Sequence, residues 1–182
     1  MITVSRISAG EAIGSLIAIV FGLVFVLVNS GGLATPWPLV LRIAAAVVAV
    51  ALFVLLARRG KPVGGAGTTF FGRHRFWLIV AAEVVALFGG LFVINGVLGH
   101  GEAGVAWIAV VVGVHFVAMG RAFRLARFVT LGGAMTVLGV AGFVLAAVSA
   151  SAAVIGLVAG VLSGFALFAA AGHALAPRCS VP

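Results

Sequence analysis

Three ionisable side chains in this chain interrupt sequence that is otherwise apolar: Glu83, His115 and Arg42. An acid and an imidazole at the same level of an apolar bundle can hold, pass or share one proton, and intramembrane acids and histidines commonly line solute or proton paths. The plainer role for such a pair is an interhelical hydrogen bond that sets the register of two helices, worth about 0.6 kcal/mol and seldom above 2. Arg42 lies a few residues from the end of its hydrophobic run. There a guanidinium snorkels to the interface, or it meets a substrate in a cavity open to that side.

The elements that must position these groups follow from composition. Hydrophobic residues make up 64% of the 182 positions and charged residues 8%, too few to cover the surface of a soluble fold. The class is an all-α integral membrane bundle. A span needs about 20 predominantly apolar residues, and six windows qualify, near residues 12–28, 39–57, 76–96, 103–120, 129–148 and 153–171. One six-helix domain uses the whole chain. The first apolar run exceeds a signal-peptide core, so it is expected to remain as a helix.

Glu83 is seven residues beyond Phe76, about 10 Å into the third span at 1.5 Å per residue, and His115 is five residues before Gly120, roughly 8 Å into the fourth. On antiparallel neighbours the two share a depth. They are expected to meet either as an ion pair or as a neutral acid bonded to a neutral imidazole.

The formal net charge of +8 is explained by topology. Lys and Arg in successive tails and connections number one, none, five, none, three, none and one. The positive-inside rule then places both termini in the cytoplasm. Trp37, Trp77 and Trp107 fall at span ends, where indoles favour the headgroup layer. The basic residues do not line one face with base-contacting neighbours, so nucleic-acid binding is not expected. The partner is the lipid bilayer of a bacterial cytoplasmic membrane, the Arg-, Ala- and Gly-rich composition fitting a GC-rich genome.

Other features have structural readings. Ser8 and Glu11 have the spacing of a capping box, and Glu102 suits the first turn of the fourth helix. The Gly89-Gly90 pair allows a bend or a close neighbour. Gly156, Gly160 and Gly164 recur every fourth residue, a flat strip for helix packing inside the monomer or for a homo-oligomer contact. The glycine-rich stretch 64–69 lacks the Gly-Lys-Ser/Thr ending of a phosphate loop. Cys179 has no partner for an internal disulfide, and its four-residue tail fits a prenylation box only by chance.

Enzyme and cofactor signatures are missing. There is no His-Glu-x-x-His, no paired Asp-rich motif, no second cysteine and no Tyr. Ser163 and His173 share one helix at about 15 Å along its axis and cannot form a dyad. Two facing histidines would be needed for haem. His115 and His173 are the one pair at similar depth, and no cofactor is assigned.

The segments Trp107-Ile108-Ala109, Gly113-Val114-His115-Phe116 and Arg121-Ala122-Phe123 resemble a group of small bacterial multi-pass proteins in which a Gly-x-His-Phe stretch follows a span carrying a Glu. The resemblance covers about a quarter of the chain. Where that group has Leu-Pro-Leu-Ala after His-Phe, this chain has Val117-Ala118-Met119-Gly120. It implies a membrane protein, directs attention to Glu83 and His115, and implies no activity.

Three functions are compatible with these residues. The first is small-solute or proton-coupled transport through Glu83 and His115. The second is a non-transporting accessory subunit that binds a partner on its basic loops. The third is an intramembrane enzyme acting on a lipid or isoprenoid with Glu83 as general acid.

Overall fold

A computed structural model describes residues 9–59 and 74–176, and every regular element among them is helical. α1 is Ala9–Asn29, α2 Trp37–Arg58, α3 His74–Val97, α4 Gly101–Phe123, α5 Ala126–Ala147 and α6 Ala152–Leu175. All six are long and apolar enough to cross a membrane. In such surroundings the backbone must satisfy its own hydrogen bonds, which favours unbroken helices over these Ala-, Val- and Leu-rich runs. Ser8, the glycine-rich stretch 64–69 and Cys179 lie outside the described residues.

Local chemistry sets the boundaries. Pro36 precedes α2 and Pro38 sits in its first turn, where a missing N–H costs no helical bond. Arg124 ends α4 in the left-handed conformation (φ 57°), so a two-residue turn joins α4 to α5. The Ser151 hydroxyl accepts from the Val154 amide and caps α6. Two segments depart from α-geometry: Phe92–Val97 at the end of α3 and Gly156–Val161 in α6 are π-helical.

The core is built by α1, α4, α5 and α6, with Ala45 and Ala49 of α2 buried against it. Val26, Met135, Val161, Leu167 and Phe168 are almost completely buried there. Dispersion between apolar helices is short-ranged, so small residues let backbones approach. α4 and α5 meet through Gly113 and Gly132: a Cβ on Gly132 would lie 2.4 Å from the Gly113 carbonyl oxygen. α2 packs on α1 and α6, and α3 packs on α4. Both flanking helices expose large apolar side chains, among them Ile43, Val47, Val85 and Phe88, a surface suited to lipid.

The glycine strip of α6 is covered by α1. A Cβ on Gly164 would lie 2.7 Å from the Gly22 oxygen, and one on Gly160 would enter the Asn29 side chain. Gly156 sits against the Asn29 carbonyl. Gly156, Gly160 and Gly164 are buried by their own chain, so this face is not open to a second copy as a homo-oligomer contact. The physical reason is that α1 carries its own small residue, Gly22, at the crossing.

Polar ties close both ends. At the basic end, Arg127 Nη2 lies 3.1 Å from Glu11 Oε1, and an Arg59 guanidinium nitrogen donates to the Leu175 carbonyl at the end of α6. Glu11 thus joins α1 to α5 across the bundle. At the opposite end, Arg42 Nε of α2 donates to the Ser30 hydroxyl just beyond α1 at 3.2 Å.

The hydroxyls of Ser15 and Ser163 are buried without a hydrogen-bond partner among the described residues. An unsatisfied buried hydroxyl costs about 1–3 kcal/mol. Ser163→Ala is therefore expected to raise stability by about 1 kcal/mol, read as a higher unfolding midpoint in detergent. A lower midpoint would show that this hydroxyl is satisfied.

Candidate functional site

α3 presents Glu83, Ala86 and Gly90 at offsets of three and four residues, which stacks them on one helix face. α4 presents Gly104, Trp107 and His115 along its own length. The antiparallel pairing of these faces forms a seam.

Its anchor is Trp107. The indole lies on Gly90 so closely that a Cβ there would be 2.1 Å from Cε2 and Nε1. Nε1–H donates to the Ala86 carbonyl at 3.0 Å, which satisfies a half-buried indole. The other side of the ring meets Phe143 of α5 edge-on, with centroids 6.5 Å apart. Trp107 thus binds three helices together. Trp37 and Trp77, by contrast, are exposed. Of the Gly89-Gly90 pair, Gly90 provides the close neighbour, and a Cβ on Gly89 would meet nothing within 4 Å.

Further toward the basic end, Glu83 Oε2 lies 3.0 Å from His115 Nδ1. The side chains are 22% and 14% exposed. The distance is that of a hydrogen bond, but Nδ1 has no aligned hydrogen-bond partner, so the contact is a close acid–imidazole approach and not a directed bond. Phe116 meets the His115 ring edge-on at 5.7 Å and Phe128 in turn meets Phe116 at 5.7 Å. One side of the imidazole is therefore apolar, and the other faces the acid.

The seam places the pair nine residues into α3 and eight residues from the end of α4, about 12–14 Å from the basic end. α3 as far as Leu91 has no buried residue. Glu83 is consequently carried by the least buried of the six helices and held through a single line of contacts.

Arg42 is not brought to this pair. It is exposed near the start of α2 at the opposite end, and its Nε donates to the buried Ser30 hydroxyl at 3.2 Å. The guanidinium also lies over Gly31, 3.2 Å from where a Cβ would stand. It ties the α1–α2 connection together. His173 is exposed in the last turn of α6, and among the described residues no group of three or more His, Cys, Asp or Glu could hold a metal.

Sequence reasoning overlooked the Ala86–Gly90–Trp107 seat and a second acid–imidazole contact, His100 with Glu102. A signal for the first existed: counting outward from a Glu83–His115 pairing on antiparallel helices brings Gly90 opposite Ile108, one residue from Trp107. The second depends on turn geometry that spacing does not show.

The chain matches no protein-family model, no curated protein and no solved structure. The likeness of its Gly-x-His-Phe stretch to small bacterial membrane proteins rests on those residues alone.

Proposed function

We propose that this chain is a multi-pass protein of the bacterial cytoplasmic membrane, with both termini cytoplasmic, that moves protons or a small solute together with protons along the α3–α4 seam. The observation that carries the reading is the 3.0 Å approach of Glu83 to His115 within two helices of membrane-spanning length. An acid and an imidazole at that depth are costly unless they act or pair.

With the imidazole charged, the pair carries no net charge. A proton taken up by the carboxylate leaves one positive charge, removes the attraction and loosens α3, and loss of that proton restores it. α3 can separate from α4 without disturbing the core, because its contacts run along one line. α4 and α5 meet backbone to backbone at Gly113 and Gly132, whereas α3 meets α4 at Gly90 through the Trp107 side chain. A side chain can swing aside where backbone cannot, which favours the α3–α4 side for any path. The alternation of basic and uncharged connections supports the orientation.

A second reading, a non-transporting accessory subunit, is favoured by Arg58 and Arg121, both exposed at the basic end. It requires no flux.

The test is proton flux into proteoliposomes with a pH-sensitive dye inside, comparing wild type with a folded Glu83→Gln variant. Wild-type flux that falls about tenfold or more in the variant is expected, in keeping with the loss of a proton-transferring group. Silence of both proteins across imposed pH gradients and membrane potentials would overturn transport and leave the accessory reading.

A further inference from the structure

Every acidic residue of the chain is paired: Glu11 with Arg127, Glu83 with His115 and Glu102 with His100. Both acid–imidazole contacts belong to the α3–α4 hairpin, one within the seam and one at the turn that closes it.

His100 Nδ1 lies 3.0 Å from Glu102 Oε1, with the side chains 68% and 38% exposed. Residues two apart do not face each other on a helix, so the turn must bring them together. The π-helical segment Phe92–Val97 ends α3 with Leu98 N donating to Val93 O at 2.9 Å, and the His100 amide reaches back to Ile94 O at 2.9 Å. Gly99 takes a positive φ of 70°, readily open to glycine. The Ala103 amide then donates to the His100 carbonyl at 2.9 Å, closing a single 3-10 turn over Gly101–Ala103.

An exposed ion pair contributes little to stability, so stability does not account for ordering an imidazole beside a carboxylate. Below the turn, Asn95 Oδ1 packs against Gly101 and Gly104, 3.5 and 3.6 Å from where their Cβ atoms would stand. Trp107 follows on the same seam, and then the Glu83–His115 pair. The turn packs against α4, α5, the first turn of α6 and the π segment of α3. The other ionisable groups on the described parts of those helices, His74, Arg75, Glu83, His115, Arg121, Arg127 and His173, all lie toward the basic end.

We propose that His100 and Glu102 form the proton-loading site at the opposite mouth of the seam served by Glu83 and His115. With Nδ1–H donating to the Glu102 carboxylate, Nε2 is left to take a proton from solvent. The imidazolium so formed is held by the carboxylate, and the site resets when Nε2 gives that proton up to water admitted between α3 and α4 as α3 loosens. Histidine suits this step because one ring nitrogen can take up and release a proton while the other stays bonded.

The inference rests on the transport reading, and one experiment separates the two. Proton flux in proteoliposomes is measured against the pH of each side for wild type, Glu83→Gln, His100→Gln and Glu102→Gln. The expected result is a Glu83-dependent wild-type flux, a fall of about tenfold in His100→Gln near neutral pH, and a smaller fall in Glu102→Gln. Added imidazole should restore flux to His100→Gln, which a purely structural role for the side chain would not allow. A Glu83-dependent flux whose magnitude and pH profile are unchanged in His100→Gln overturns the loading site alone. Loss of flux in His100→Gln without rescue by imidazole does the same. A silent wild type, or a flux indifferent to Glu83→Gln, overturns the transport reading and the loading site with it.

Discussion

Gly132→Ala is expected to destabilise the bundle severely, while Gly133→Ala, one residue along the same helix, leaves it unchanged or slightly more stable. A Cβ on Gly132 would lie 2.4 Å from the Gly113 carbonyl oxygen and 2.6 Å from the Val117 amide nitrogen. These are backbone atoms, which cannot rotate away. α4 and α5 would have to separate along their whole contact, and the Thr136 hydroxyl, which donates to the Gly132 carbonyl at 2.8 Å and abuts Gly113, would move with them. The cost is about 3 kcal/mol, the upper end for overpacking. A Cβ on Gly133 meets nothing within 4 Å, so replacement there relieves the helical penalty of glycine, about 0.5–1 kcal/mol. Unfolding of both variants in mixed micelles checks the contrast. Equal midpoints would mean that the α4–α5 contact is looser than described.

Gly90→Ala should detach α3 while sparing the rest of the fold. The new methyl would fall 2.1 Å from the indole of Trp107. That ring cannot shift without giving up its bond to the Ala86 carbonyl or its contact with Phe143. α3 has little else to hold it, with no buried residue as far as Leu91. A local loss of about 2–3 kcal/mol is expected, together with separation of Glu83 from His115. Amide hydrogen exchange should accelerate across residues 78–95 and stay slow in α4, α5 and α6. In a variant retaining Trp107 as its one tryptophan, the emission should shift as the indole loses its acceptor. Gly89→Ala is the control, since a Cβ there meets nothing within 4 Å. Identical exchange in the two variants would sink the seam as the element holding α3.

The six helices and the meeting of Glu83 with His115 were open to inspection in the sequence for different reasons. Helices of this kind are declared by the length and composition of apolar runs, and those are properties of the chain itself. The acid and the imidazole could be matched because depth is a matter of counting residues from each helix end, and a tight turn forces the third and fourth helices to be antiparallel. Arg42 was harder. Counting placed it near its helix end, but its bond to Ser30 depends on how the α1–α2 connection folds back. Glu11 fitted a local cap by spacing, yet its carboxylate reaches Arg127, 116 positions along the chain, a partner that no local pattern contains.

What the amino-acid sequence determines by itself is a bundle of six apolar helices with charge gathered at alternate connections, because hydrophobicity and charge act on each segment separately. Only the tertiary structure decides which helices touch. Lipid-facing and helix-facing surfaces are equally apolar here, so hydropathy does not distinguish α2 and α3, which flank the bundle, from α1, α4, α5 and α6, which build most of its core. The choice is made by close fit: Gly22 against Gly164, Gly113 against Gly132, and Gly90 beneath Trp107. Such complementarity belongs to pairs of surfaces, and neither helix carries it alone.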